Sequence, residues 1–212
     1  MIETFASKQS ETSKKPKVAF LFYGLCRSLP YTIENIQKKI FDNLNLHNIE
    51  YTKFIHTYHF SKPYNNPRAN EININIDNNM YKLLDIPAEN TIIDNHEKIC
   101  EELNFKDYHS FPDPWGCPNF STLNNHVLAL YSLDKSTEKM IEYEKKHNCT
   151  FDIVISLRPD CLFLNDFNIN WLNVPDDRNI CIPNFAWSGG VNDRFSIANR
   201  TVGIIHCQRF KK

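Results

Sequence analysis

The chain has 212 residues and a mass of 24.9 kDa, which fits one domain with a single core. Its 24 Lys and Arg nearly cancel its 25 Asp and Glu, for a net charge of -1. Nothing is left over to neutralise a phosphate backbone, which argues against broad nucleic-acid binding, and no apolar run approaches the ~20 residues of a membrane span.

Residues 1–16 are rich in Ser, Thr, Lys and Glu. They read as a loosely attached tail with no apolar signal segment, ahead of a domain over 17–212. The seven cysteines include no CxxC pair. That speaks against a zinc site or a disulfide framework and for a reducing compartment, so a cytoplasmic location is expected. Only five glycines are present, and neither GxGxxG nor GxxxxGK(S/T) occurs.

Val18-Ala19-Phe20-Leu21-Phe22-Tyr23 is a continuous apolar run, the pattern of a strand buried on both faces, and Gly24 stops it. Pro30 then suits a first helical turn, with Ser28 as its cap. Ile33, Ile36, Ile40 and Leu44 recur at helical spacing. A strand over 51–58 completes a right-handed βαβ unit with parallel strands. Residues 61–80 form an irregular excursion with a short alternating strand at 71–76. A strand at 91–93 and a helix near 95–104 follow. The loop 107–120 holds Pro112, Pro114, Pro118 and Trp115, and a loop of that length is more often functional than idle.

The longest helix spans 121–146, with Leu123, Val127, Leu130, Leu133, Met140 and Ile141 as its apolar face. A central strand over 151–157 ends at Arg158-Pro159-Asp160, because Pro159 cannot donate to a sheet ladder. A strand near 179–183, a glycine-containing stretch over 185–200 and a short strand or helix over 201–212 close the sequence. Phe210-Lys211-Lys212 carries no closing turn signal, which leaves room for a further domain. The fold class is α/β, a single Rossmann-like domain with a mostly parallel central sheet flanked by helices.

In such sheets ligands bind at the carboxyl ends of strands. That rule selects Gly24–Ser28, His56–Tyr58 and Arg158–Asp160, and residue chemistry adds the stretch around Asp193. Gly24-Leu25-Cys26-Arg27-Ser28 links a buried strand to a helix start. Gly24 permits close approach, and Arg27 offers a fork that matches phosphate oxygens, so the segment suits a diphosphate; it also reads as a plain turn with Arg27 on a nearby carboxylate. Asp160 stands where Mg²⁺ or Mn²⁺ could bridge protein and phosphates, or it caps a turn while Arg158 pairs elsewhere. Asp193, after Gly189-Gly190, is a general-base candidate or half of a solvated pair with Arg194. His206 is a possible extra metal ligand. No Ser-His-Asp set appears at a recognisable spacing.

These segments, in this order, resemble a GT-A-type glycosyltransferase family of large DNA viruses with bacterial and algal relatives. The likeness rests on Phe22-Tyr23-Gly24-Leu25-Cys26-Arg27-Ser28, on Phe54-Ile55-His56-Thr57-Tyr58, on Phe151 to Asp160, and on Asn192-Asp193-Arg194-Phe195. It covers most of 17–200 and is weaker over 60–120. The resemblance implies a GT-A fold, a nucleotide-diphosphate sugar donor, most simply a UDP-sugar, and a glycan or glycoprotein acceptor such as a viral capsid protein in the host cytoplasm. It places Gly24, Leu25, Arg27 and Arg158 on the nucleotide or diphosphate, Thr57 in the base pocket, Asp160 on Mn²⁺ or Mg²⁺, and Asp193 on the acceptor side. One departure matters. A DxD motif would put an acid at 158, and this chain has Arg158, so phosphate neutralisation passes in part to a guanidinium and the metal becomes helpful rather than essential. Two other readings compete. One is a carbohydrate-binding module using Trp115, Trp171 and Trp187; the other is a sulfotransferase, whose phosphosulfate turn Gly24 to Ser28 loosely mimics.

Overall fold

The computed structural model describes residues 15–109, 120–173, 178–185 and 192–211. The tail expected over 1–16 lies almost wholly outside them, as do the proline loop, Trp115, Trp187 and Gly189-Gly190.

Strand β1 (Val18–Tyr23) runs into helix α1 (Leu29–Ile36), with Pro30 in its first turn. Ser28 is the capping residue by position but makes no side-chain cap bond. A π-helical turn at Gln37–Phe41 joins α1 to α2 (Asp42–Leu46), so the expected single helix carries a bulge. Strand β2 (Tyr51–His59) follows. The excursion contains an antiparallel hairpin, β3 (Tyr64–Asn66) and β4 (Glu71–Ile74), separate from the main sheet. Then come β5 (Thr91–Asn95), α3 (His96–Glu102) and the long α4 (Ser121–His147). The chain continues through β6 (Ile153–Leu157), β7 (Ile180–Cys181), β8 (Phe195–Asn199) and α5 (Arg200–Cys207).

The main sheet has the order β5-β2-β1-β6-β8-β7. Its first four strands are parallel, while β8 runs antiparallel to both β6 and β7. The expectation of a mostly parallel sheet therefore holds in the described chain, with an antiparallel edge added. Strand β8 falls in a stretch that the sequence reading left without an element.

Alternation along β1 divides the core. Val18, Phe20 and Phe22 pack toward α1, the π turn and α2, in a cluster with Ile36, Ile40, Phe41 and Leu44. Ala19, Leu21 and Tyr23 pack toward α4 and α5, with Leu133, Met140 and Cys207. All six β1 side chains are buried, so the strand is covered on both faces, as a parallel sheet requires. Helix α5 crosses β6 very closely. A Cβ built on Gly203 would stand 2.7 Å from Val154 Cβ, so only glycine fits that crossing.

A polar stripe binds α1–α2 to the segment after β6. Thr32 Oγ1 donates to the Pro159 carbonyl at 2.6 Å, Asn35 exchanges two bonds with Phe163, Lys39 pairs with Asp166, and Asn43 donates to the Phe167 carbonyl. Positions 32, 35, 39 and 43 recur at helical spacing and form one face. None of the described helices is long and apolar enough to cross a membrane.

Candidate functional site

The chain leaves β1 for β2 on one side, and β6 lies on the other. The order therefore reverses between β1 and β6, and the crevice beyond their carboxyl ends is where open α/β sheets take ligands. The first turn of α1 and the turn after β6 meet there, joined by the Thr32–Pro159 bond. Because β8 is antiparallel, its beginning lies at the same edge. Asp193 and Arg194, just before β8, thus face the Arg158 turn, and the Arg158 amide donates to the Arg194 carbonyl at 3.0 Å.

Arg158 is the centre of this edge. Its Nε donates to Asp160 Oδ1 at 3.0 Å and its Nη2 to Asp160 Oδ2 at 2.6 Å. Its Nη1 lies 3.4 Å from Asp193 Oδ2. Burial opposes the charge on Arg158, but Asp160 and then Asp193 outweigh it and hold the guanidinium firmly protonated. A guanidinium has five N–H groups; among the described residues three are engaged and two remain. Tyr23 closes the floor, its hydroxyl donating to the Asp193 carbonyl. Burial, and then Asp193, push that phenol well above its ordinary range. Asn192 is buried and pins the approach, donating to the Phe185 carbonyl at 2.8 Å and accepting from the Arg194 amide at 2.9 Å. The sequence reading gave Asn192 no role of its own; an Asn three residues before the start of β8 was the available signal.

The turn after β1 is less open than expected. Gly24 adopts φ +89°, a conformation glycine reaches without penalty. Its N–H donates to Ser132 Oγ at 2.7 Å, and its carbonyl accepts from Thr57 Oγ1 at 2.8 Å. The N–H, the one backbone donor Gly24 could offer a phosphate, is already taken. Arg27 is paired with Glu71 of β4, Nε to Oε1 at 2.8 Å, and stands 5.5 Å from the centre of the Tyr64 ring. Thr57 is buried. Leu25, Thr57 and Tyr58 border a cavity of only 10 Å³, closed by Ile76, Asp77, Asn78 and Tyr81. That is room for one water molecule at most. A larger cavity of 430 Å³ lies beside Lys53 on the flank of α1 and contains none of the strand-end carboxylates.

His206 sits on α5 with Nε2 2.9 Å from Arg209 Nη1. Burial, and then Arg209, drive its pKa down to about 4. No contact among the described residues joins it to Asp160. A divalent cation wants oxygens that no cation already holds, yet both Asp160 oxygens rest on Arg158. Among the described residues no three His, Cys, Asp or Glu side chains form a metal-holding group. Among the described residues the edge is built round the Arg158 guanidinium.

The structure also assembles a chain of groups that the sequence did not reveal. Ser132 Oγ lies 2.7 Å from His56 Nδ1, and His56 Nε2 lies 3.1 Å from Asp94 Oδ2. Tyr131 Oη donates to the same Asp94 oxygen at 2.9 Å. Asp94 accepts, so Nε2 carries the imidazole proton. The Ser132 hydroxyl proton is then shared between Nδ1 and the His56 carbonyl, 3.0 Å away. Three elements supply this set, with 76 and 38 residues between partners, which is why no local spacing betrays it. Its connectivity is that of a Ser-His-Asp triad, but Ser132 and His56 are fully buried. The set is a positioning network for the Gly24 turn. Trp171, by contrast, is 44% exposed beside Phe167.

Comparison with protein-family models, with curated proteins and with solved structures gives no match.

Proposed function

We propose that this chain is a glycosyltransferase that takes a sugar from a nucleotide-diphosphate donor, most simply a UDP-sugar, and passes it to a hydroxyl of a glycan or glycoprotein. One observation carries the reading. At the carboxyl end of a central strand, beside the point where strand order reverses, Arg158 brings together Asp160 and Asp193 from two different elements.

The donor diphosphate would take the two free N–H groups of Arg158, with Arg27 as the second cation. Charge-assisted bonds to phosphate need no metal to form. Arg158 would then stabilise the negative charge that grows on the leaving diphosphate. Asp193 lies on the far side of the guanidinium from Asp160, and no contact among the described residues engages its Oδ1. In an inverting transfer it would receive the acceptor hydroxyl proton as general base; in a retaining one it would position the sugar. Asp160 would aim the Arg158 fork. Mn²⁺ or Mg²⁺ assists in this scheme without being required. The resemblance of Phe22–Ser28, Phe151–Asp160 and Asn192–Phe195 to the viral glycosyltransferases supports the same assignment.

Calorimetric titration with UDP, GDP and ADP, each in Mn²⁺ and in EDTA, tests it. Selective UDP binding that survives EDTA is expected. Binding lost in EDTA would move phosphate neutralisation from Arg158 to a metal at Asp160. No nucleotide binding in either condition would leave the exposed Trp171 and a carbohydrate-binding role as the better account.

A further inference from the structure

Glu71 occupies the guanidinium of Arg27. Its carboxylate meets Arg27 Nε at 2.8 Å, and each side chain is about three-quarters buried, at 27% and 24% exposure. The Tyr64 ring lies beneath the guanidinium, and Asn66 Nδ2 reaches the other Glu71 oxygen at 3.4 Å. Carboxylate and phosphate use the same guanidinium geometry. All three partners of this pair come from the hairpin β3–β4.

That hairpin is poorly secured otherwise. A two-stranded ribbon is marginal in water by itself, and Ile72 and Ile74 on its outer side are exposed. The backbone is left-handed at Asn70 and Asn73, with φ 55° and 58°. Beyond the Arg27 pair, its anchor among the described residues is Tyr64, which packs on Phe60 and His96, while Glu97 and Asn95 pin the start of the excursion at Ser61 and Lys62. The residues just after it, Ile76 to Asn78, close the 10 Å³ cavity over Thr57 and Tyr58. Asn78 holds that closure through two bonds to the Phe60 backbone. One segment therefore neutralises Arg27 and shuts the space beside it.

Building on the glycosyltransferase reading, we infer that the 61–80 excursion is a built-in flap, latched by Glu71 acting as an internal substitute for the donor phosphate. Donor binding exchanges Glu71 for a diphosphate oxygen on Arg27. The flap is released and the cavity beside Thr57 widens. The latch keeps an unoccupied site from presenting a bare guanidinium to any passing anion, so affinity is sacrificed for selectivity.

The test compares the wild-type protein with Glu71→Gln and Glu71→Asp. UDP affinity is read by calorimetry, and the opening of residues 61–80 by amide hydrogen exchange. Glu71→Gln is isosteric and lies outside the core, and Glu71→Asp keeps the charge. Glu71→Gln is expected to bind UDP about five-fold more tightly, the size of one partly exposed ion pair. Residues 61–80 should exchange faster in Glu71→Gln without ligand and in the wild type with UDP, with Glu71→Asp in between. Wild-type UDP binding with an unchanged or weaker affinity in Glu71→Gln would overturn the latch while leaving the functional reading intact. UDP binding by none of the three proteins would overturn the functional reading, and the latch with it.

Discussion

Gly24 and Ser132 are 108 residues apart in the chain and are joined by a hydrogen bond of 2.7 Å. The bond runs from the left-handed turn at the end of β1 to the middle of α4. Ser132 is also the partner of His56, so one hydroxyl serves a backbone amide, an imidazole and a carbonyl in a fully buried place.

Replacing Ser132 with Ala should therefore cost more than one average hydrogen bond. It orphans the Gly24 N–H and removes the partner of His56 Nδ1. Loss of about 2–3 kcal/mol is expected, because buried groups left without partners pay their full desolvation. Urea unfolding monitored by circular dichroism checks this. A loss below about 0.5 kcal/mol would mean that water replaces the hydroxyl.

Arg158→Ala should leave Asp160 and Asp193 facing each other without a cation. UDP affinity is expected to fall about 100-fold, the loss of a charge-assisted contact of about 3 kcal/mol. Asp193→Asn should leave UDP affinity nearly unchanged and abolish sugar transfer if Asp193 is the base. Titration and a sugar-transfer assay separate the two effects. Equal UDP affinity in Arg158→Ala and wild type would remove Arg158 from the donor site.

Acid should weaken the protein in a defined order. Burial lowers the pKa of His56 below 6.5, despite the opposing pull of Asp94. Between its folded value and 6.5 the unfolded chain binds more protons, so stability falls as pH drops through that range and is flat above it. Burial acts the same way on His96, His126 and His206. The hydrogen bond from His56 holds the Asp94 carboxyl below its ordinary range, so a further loss follows as pH falls below about 4. Melting temperature measured from pH 8 to about pH 2 should show both stages. In His56→Gln the slope just below pH 6.5 should become shallower; an unchanged slope would assign it to the other histidines.

Gly203→Ala sets two effects against each other. Alanine favours a helix over glycine by about 1 kcal/mol. The new methyl, however, would sit 2.7 Å from Val154 Cβ in a buried strand, and overpacking costs about 1–3 kcal/mol. A net loss near 1 kcal/mol is expected, and combining it with Val154→Ala should recover little of it, because alanine keeps the Cβ that stands 2.7 Å away and removes only the two Cγ contacts at 3.2 Å. A double-mutant cycle on unfolding free energies measures that coupling.

The strands and helices that carried strong local patterns were readable from residues alone. The β1 run, Pro30, the β2 strand and the stop at Pro159 are examples. Strand β8 was not readable. Its Phe-Ser-Ile-Ala-Asn sequence is short and mixed, and it is set by non-local pairing along β6, where Ser196 meets Ser156 at 2.6 Å. On α4 the expected apolar face was only partly right. Val127, Leu133 and Met140 are buried, but so are Ser132, Ser136, Thr137 and Glu144, while Leu123, Leu130 and Ile141 are half-exposed. A helix that buries polar side chains against a polar network defeats a hydrophobic count. The candidate edge was legible as three segments but not as a geometry. Only the structure places both carboxylates on Arg158 and sets Glu71 against Arg27.

The position of β1 has a consequence for how the chain is made. One edge of β1 pairs with β2, whose partner residue to Val18 is Tyr51; the other pairs with β6, where the partner is Ile153. During synthesis the first pairing is available early, and the second must wait for the chain beyond 150. Until then six consecutive apolar residues present an unpaired strand edge, the kind of template that recruits another chain. Rapid docking of α1 and α2 over Phe20 and Phe22 covers one face but not that edge. Slowed synthesis between residues 60 and 150 should therefore raise aggregation of the nascent chain more than slowing elsewhere.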